Sequence, residues 1–164
     1  LLDLYIGMQR EDWELTGDAS GMASAMLPMG GAVSHVAGRN WMLIGDAAAL
    51  VNPLNGEGID YGLESGRMAA TLLDENNVTK AWPALLQSEY GATFSVARRL
   101  AGLLTHPMFL PTFGPIGMRS PSIMGVALRV MGNLVTPEDA DLTARWWRKA
   151  GRWSQRLDSR PPWS

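Results

Sequence analysis

Cysteine is absent from the 164 residues, which excludes disulfide bonds and thiolate metal sites; no metal centre is expected, and the composition fits a cytoplasmic protein. Long apolar runs are also missing. Gly, Pro or charge interrupts every apolar stretch before it reaches the roughly 18 residues of a membrane span, and no signal peptide is visible. There is no internal repeat and no low-complexity tract. Nor does one sign of charge dominate, since the formal net charge is -2; the basic run is short and the rest is acidic, which argues against a nucleic-acid partner.

What is present is an apolar fraction of 46%, ordinary for one globular domain with a core. The small net charge hides a gradient. Residues 1–75 carry three basic groups (Arg10, Arg39, Arg67) against eleven acidic ones, whereas residues 142–164 carry six basic groups against Asp158 alone. Trp146, Trp147 and Trp153 are interleaved with that basic cluster. Two readings follow: a helix lying peripherally on an anionic membrane surface, here the inner face of the cell membrane, or a solvated helix that packs its tryptophans on the body.

The most informative stretch is GDAAALVNPLNGEGIDYGLESG, residues 45–66, which follows the apolar run Trp41-Met42-Leu43-Ile44. The run predicts a buried central strand. Gly45 at its end permits close approach of the backbone to a ligand, and Asp46 sets a carboxylate where a polyhydroxyl chain donates hydrogen bonds to it. Pro53 fixes the backbone, and Gly56 and Gly58 flank the first turn of a helix predicted over about Gly58 to Leu73. Free amides at such a helix start favour negative charge, as a reduced flavin carries near N1 and the C2 carbonyl. A Gly-Asp pair alone is usually only a turn; the Asn52-Pro53 and Gly56-Glu57-Gly58 elements at close spacing make the combined signal much stronger.

With these residues in view, the motif GDAAALVNPLNGEGIDYGLESGRMAA resembles the second FAD-binding motif of the geranylgeranyl reductase family, within the para-hydroxybenzoate-hydroxylase-like flavoproteins. The upstream LPMGGAVSHVAGRNWMLIGDAA resembles it too, and residues 97–164 are similar to actinobacterial members that reduce the isoprenoid side chain of menaquinone. The resemblance implies an α/β fold, α+β when taken as a fragment: the carboxyl-terminal part of a Rossmann-like FAD-binding domain followed by a mainly helical tail. The division expected is 1–75 for the distal part of the FAD-binding domain with the end of the substrate domain, and 76–164 for the helical region. It further implies that Asp46 meets the ribitol or adjoining phosphate of FAD, that Pro53, Asn55, Gly56, Gly58 and Ile59 lie along the isoalloxazine ring, and that Gly45, Ala47 and Glu57 belong to the same cofactor-binding set. The GxGxxG fingerprint with which the family opens is not found in these residues, so the chain is expected to be the carboxyl-terminal part of a longer protein, weak in FAD binding by itself.

The implied chemistry is reduction of an isoprenoid double bond, in a geranylgeranyl group or a prenylated quinone, with electrons from an external donor and FAD as the redox cofactor. No nicotinamide site is recognisable and no catalytic acid stands out. Glu57 is adjacent to the glycines, but a structural role at the helix start is the stronger reading. His35, single in a short strand, reads as structural. Two alternatives remain open. One is an aromatic flavin monooxygenase, although those enzymes more often carry His after GDAA and Gln in the later glycine loop, where this chain has Ala49 and Glu57. The other is a non-catalytic packing or membrane-docking module.

The remaining pattern predicts the end of an amphipathic helix over Leu1 to about Met8, a break at Gly17–Gly21, short strands over Ala23–Leu27 and Val33–Val36, and a tight turn at Met29-Gly30-Gly31. A polar connection over Asp74–Thr79 precedes a long helix from about Ala81 to Thr105, with Pro83 in its first turn. His106–Pro121 is rich in Pro and Gly yet apolar, suiting either a cover over the core or a hydrophobic entrance for a prenyl chain. Ser122 is expected to cap a helix to about Leu134, and Thr136-Pro137-Glu138-Asp139 to start the terminal helix.

Overall fold

The computed structural model describes residues 2–136 and 138–164. Among these described residues the helices are, in order, α1 (Leu2–Gln9), α2 (Ile59–Ala70), α3 (Ala81–Leu104), α4 (Phe109–Met118), α5 (Pro121–Met131) and α6 (Leu142–Arg156); a 3-10 turn, Gly45–Ala48, lies between α1 and α2.

Helix α3 is the spine. Its predicted apolar stripe is realised, with Trp82, Leu86, Tyr90, Phe94 and Ala97 all buried. Against one side lies α2, whose Tyr61 meets Tyr90 edge-on at 5.5 Å between ring centroids and Phe94 at 5.1 Å, a geometry that adds about 1 kcal/mol per pair beyond area burial. Against another side lies α6, and here small residues do the packing. A Cβ on Gly151 would stand 2.9 Å from the Ala92 carbonyl oxygen, and one on Gly91 would stand 2.7 Å from Gln155 Nε2. The approach is close enough for the buried hydroxyls of Ser95 and Ser154 to hydrogen-bond at 2.8 Å, with Arg99 Nε donating to Ser154 Oγ at 2.8 Å. Arg98 and Arg99 also pair with Asp158 at 3.2 and 2.8 Å.

Several expectations are corrected. Among the described residues there is no β-strand: the stretch Trp41–Ile44, expected as a buried central strand, makes only one antiparallel bridge, Ala37 to Met42, closed by Leu43 N–H to the Val36 carbonyl at 2.8 Å. A strand requires a continuing ladder, and no other described segment lies alongside to supply it. Trp41 and Ile44 are consequently exposed, and the bridge is steadied by Trp82, whose Nε1–H donates to the Leu43 carbonyl at 2.8 Å. The expected strands at Ala23–Leu27 and Val33–Val36 are likewise irregular, with Met26 fully exposed. The mainly helical tail is as anticipated; the described residues form no sheet that would mark a Rossmann-like half.

Helix α1 forms over Leu2–Gln9 but without the expected amphipathic face: none of its residues is buried and Leu2, Leu4, Tyr5 and Met8 are all exposed, while Leu1 lies outside the described residues. His106–Pro121 contains a helix, α4, in spite of Pro111 and Pro115, and its Met108, Leu110, Phe113, Ile116 and Met118 are exposed, not laid over the core. The cap of α5 is Ser120, whose Oγ accepts from Ile123 N–H, with Pro121 in the first turn. Helix α6 starts later than expected, with Asp141 as its cap through Ala144 N–H at 2.8 Å; Pro137 lies outside the described residues. The tryptophans of α6 do not pack on the body as a set, since Trp146 and Trp153 remain exposed while Ala144, Gly151 and Ser154 are buried.

Candidate functional site

The Gly-Asp motif folds as a compact loop against the start of α2. Gly45 has φ +52 and Gly56 φ +75, left-handed conformations that glycine adopts without cost. Gly45 abuts Gly62 of α2, with 3.4 Å between a Cβ built on Gly45 and the Gly62 Cα. Its amide donates to Ser65 Oγ at 3.1 Å. The turn Gly45–Ala48 ends in Ala49, also left-handed at φ +54, through Ala49 N–H to the Asp46 carbonyl at 2.9 Å and Leu50 N–H to the Gly45 carbonyl at 3.0 Å.

Asn52 organises the second half of the loop. It is buried; its amide donates to the Glu57 carbonyl at 2.7 Å, its carbonyl accepts from Gly56 at 2.9 Å, and its Oδ1 accepts from Leu54 N–H at 2.9 Å. Asn55 Oδ1 caps Glu57 N–H in the same manner at 2.9 Å. Glu57 Oε1 then accepts from Asp60 N–H at 3.0 Å, the helix-start role anticipated for it, while Oε2 is buried with no partner. A Cβ at Gly58 would stand 3.0 Å from Asp46 Oδ1 and 3.1 Å from Val51 Cγ2, so Gly58 allows the two halves of the motif to close on each other.

Of the nine residues singled out, Gly45, Asp46, Glu57 and Gly58 are thus brought together around Leu50–Asn52. Pro53 faces the other way, toward Gly30, whose built Cβ would lie 3.5 Å from Pro53 Cγ. Asp46, Ala47, Asn55, Gly56 and Ile59 form the exposed outer side of the loop, and a Cβ at Gly56 would meet nothing within 4 Å. His35 is exposed in a left-handed turn at φ +58. Among the described residues no group of three or more His, Asp or Glu side chains is placed to hold a metal ion.

Three contributors were not legible beforehand. Ser65 carries no signal apart from lying two turns into α2. Tyr61 is buried, donates its hydroxyl hydrogen to Asn133 Oδ1 at 2.9 Å, and has its ionisation pushed up to about 12 by burial and by the negative charge of Glu57. Trp163 is distant in sequence by more than a hundred residues, yet its Nε1–H donates to the Ala48 carbonyl at 2.7 Å.

The donor set fits a flavin. The loop offers exposed backbone at a Cβ-free left-handed position, Gly56; a helix start whose cap, Gly58, has no side chain and whose Asp60 amide is taken by Glu57; and an exposed carboxylate, Asp46. Apolar Ile59 and Leu63 lie exposed along the neighbouring face of α2.

The menaquinone reductases of Mycobacterium tuberculosis and Mycolicibacterium smegmatis are 61% and 62% identical to this chain over all of it, and the chain spans 40% and 41% of their respective lengths. A digeranylgeranylglycerophospholipid reductase from Methanopyrus kandleri is 33% identical over 86 residues, covering 48% of this chain and 23% of that protein. No family model and no solved structure matches. The sequence likeness runs along every residue of the chain, which spans about two-fifths of the length of the mycobacterial reductases it matches, and it accords with the motif resemblance to the geranylgeranyl reductase family.

Proposed function

We propose that this chain is the flavin-facing and helical region of an FAD-dependent oxidoreductase that saturates a carbon-carbon double bond in an isoprenoid chain, that of a menaquinone or a geranylgeranyl lipid. The observation that carries the reading is the braced loop of residues 45–59 with its open outer side, in a sequence 61% identical to menaquinone reductases. When bound, FAD supplies the two-electron chemistry, recharged by an external donor. The residues that would hold it are Asp46 at the ribitol or adjoining phosphate and Pro53, Asn55, Gly56, Gly58 and Ile59 along the ring, with Gly45, Ala47 and Glu57 in the same cofactor-binding set. On this reading residues 1–75 are the distal part of the flavin-binding domain with the end of the substrate domain, and 76–164 the helical region.

The chain's own contribution is placement. Asn52 holds the loop closed from within, Gly58 lets its two halves meet, Gly56 keeps a side chain off the open face, and Glu57 fixes the start of α2 through the Asp60 amide. The apolar side chains of Ile59 and Leu63 suit contact with a hydrocarbon substrate or an aromatic ring better than with water.

Membrane contact belongs to the same proposal. Helix α6 exposes Trp146 and Trp153 beside Arg145, Lys149 and Arg152, and Lys149 Nζ stands 5.2 Å from the Trp146 ring centroid. That mixture suits the headgroup level of an anionic bilayer, where an isoprenoid substrate resides. No described helix is long and apolar enough to cross a membrane.

The test is FAD retention by the intact gene product, read by visible absorbance and flavin fluorescence, beside Asp46→Ala. Wild type is expected to retain FAD and the variant to bind it at least about tenfold more weakly, as loss of a charge-assisted hydrogen bond predicts. Absence of flavin from the wild type would sink the reading. Oxygen consumption coupled to hydroxylation of an aromatic compound would favour the monooxygenase alternative instead.

A further inference from the structure

The segment that follows α6 ends a chain of contacts leading to the flavin loop. Trp163 is buried and left-handed, with φ +57, a conformation that a bulky residue adopts only where its surroundings enforce it. Two hydrogen bonds enforce it here: Trp163 N–H donates to the Gly31 carbonyl at 2.9 Å, and its indole Nε1–H donates to the Ala48 carbonyl at 2.7 Å. Gly31 in turn donates to the Ala49 carbonyl, and Gly30 to the Val51 carbonyl, both at 2.9 Å. The carbonyls of the buried residues 48, 49 and 51 are thereby each held by Trp163 or by the Gly30-Gly31 turn.

The fit leaves no slack. A Cβ on Gly31 would stand 2.6 Å from Pro162 Cβ and 3.0 Å from the Trp163 ring. Gln87 Nε2 of α3 donates to the Pro162 carbonyl at 3.0 Å, anchoring the segment to the spine helix. The indole also leans on Phe94, with 5.6 Å between centroids. A general hydrophobic plug would need only this last contact; the two directed hydrogen bonds into the Gly-Asp turn and its Gly30-Gly31 backing are what a plug would not require.

We infer that Trp163 is a positioning residue for the flavin site: its indole N–H fixes the Ala48 carbonyl and with it the turn that presents Gly45, Asp46 and Ala47. This rests on the flavin reading above. The carbonyl is buried, so losing its donor leaves an unsatisfied acceptor inside the turn, and the turn relaxes at the cofactor side because its other side is already packed.

The experiment uses the intact gene product with FAD as the probe. Trp163→Phe keeps an aromatic ring against Phe94 and removes the donor; Phe94→Leu loosens the same cluster and leaves the donor in place. Trp163→Phe is expected to weaken FAD binding about three- to tenfold, the span of one lost hydrogen bond, and to shift the visible bands of the flavin that remains bound. Phe94→Leu is expected to lower Tm at least as much, with FAD affinity within about twofold of wild type and unchanged bands. Wild-type affinity and spectrum in Trp163→Phe would overturn the inference, as would equal flavin loss in Phe94→Leu. Should Trp163→Phe fail to fold, a benzothienyl analogue of tryptophan incorporated at position 163, which keeps the bicyclic shape and replaces the N–H by sulfur, decides in the same way: weaker FAD binding supports the inference and wild-type binding overturns it. A wild type that binds no FAD fails at the earlier step and removes the flavin reading itself.

Discussion

The region built on α2 and α3 and the hairpin of α4 and α5 are both apolar in sequence, yet they end in opposite environments. In the first, Tyr61, Met68, Trp82, Leu86, Tyr90 and Phe94 are buried around one another; in the second, Leu110, Phe113, Ile116, Ile123 and Leu128 are exposed. Apolar content does not separate them. What separates them is the presence of polar anchors and Cβ-free approaches that fix one element on the next: Trp82 to Leu43, Trp163 to Ala48, Gly45 to Gly62. The hairpin has polar ties as well, Arg129 to Asp139 and Asp141 and Asn133 to the Tyr61 hydroxyl, but they hold its end, and no buried indole or Cβ-free approach draws its exposed apolar side chains onto the body. Burial in this molecule follows directed contacts, and hydrophobicity fills the space they define.

The comparison is broken most severely at Trp82. It is wholly buried and its indole N–H satisfies the Leu43 carbonyl, so Trp82→Ala opens a cavity and orphans an acceptor; the expected loss is about 3–5 kcal/mol, measured by urea denaturation. Gly31→Val comes next. Its φ of +70 and the 2.6 Å approach to Pro162 Cβ combine left-handed strain with overpacking for an expected loss of about 3 kcal/mol, readable as a fall in Tm.

The tyrosine pair sharpens the comparison through pH. Burial holds the Tyr61 hydroxyl protonated up to about 12 against an ordinary 10.0, and burial with the Glu64 hydrogen bond pushes Tyr90 upward as well. The unfolded chain therefore releases these protons first. Stability conferred by Tyr61 is complete below pH 10 and is lost as pH rises toward 12, by about 2 kcal/mol at the upper end. The double variant Tyr61→Phe, Tyr90→Phe is expected to flatten that alkaline fall in Tm. Were the slope between pH 10 and 12 unchanged, the aromatic cluster would not be the source.

How much of this was legible beforehand follows the same division. The stripe of α3 and the glycine loop with its helix were readable because their signals are local: side chains at three- and four-residue spacing, and Gly, Asn and Pro at turn positions. The run Trp41–Ile44 misled because strand propensity describes what a segment can pair with, and no described neighbour continues its ladder beyond the Ala37–Met42 bridge. The proline-rich stretch misled in the opposite sense, since Pro111 falls in the first turn of α4, where its missing N–H costs nothing, and only Pro115 interrupts it. The α3–α6 contact was illegible because Gly91, Ser95, Gly151 and Ser154 have no periodic hydrophobic signature. Trp163 was illegible as a site residue because its partner Ala48 is 115 positions away.

Ser154→Ala tests the small-residue contact at a lower amplitude. The hydroxyl meets Ser95 Oγ and Arg99 Nε inside the helix pair, so its removal leaves a buried hydroxyl and part of a guanidinium less satisfied; about 1–2 kcal/mol is expected. Restoration by Ser95→Ala on the same background would assign the cost to the orphaned partner, whereas additive losses would assign it to packing.

The smallest effect on folding is expected in the hairpin, and it is the most telling for function. Phe113→Ser and Leu128→Ser replace exposed apolar side chains, so each is expected to alter stability by no more than about 0.5 kcal/mol, in contrast to the losses at Trp82 and Gly31. The hairpin does not stand apart from the basic helix. Val126 and Val130 of α5 and Leu142, Trp146 and Trp147 of α6 line one shallow apolar groove of about 480 Å³, beside the cationic row of Arg145, Lys149 and Arg152. If the exposed apolar surface serves a bilayer, the two serine variants should reduce flotation with anionic vesicles while Tm stays unchanged, and Trp146→Ala should reduce it further by removing the residue shared by groove and row. Unreduced flotation in all three variants would detach the hairpin from membrane contact and leave its apolar face to a protein neighbour, where a stability gain on assembly would be the observable.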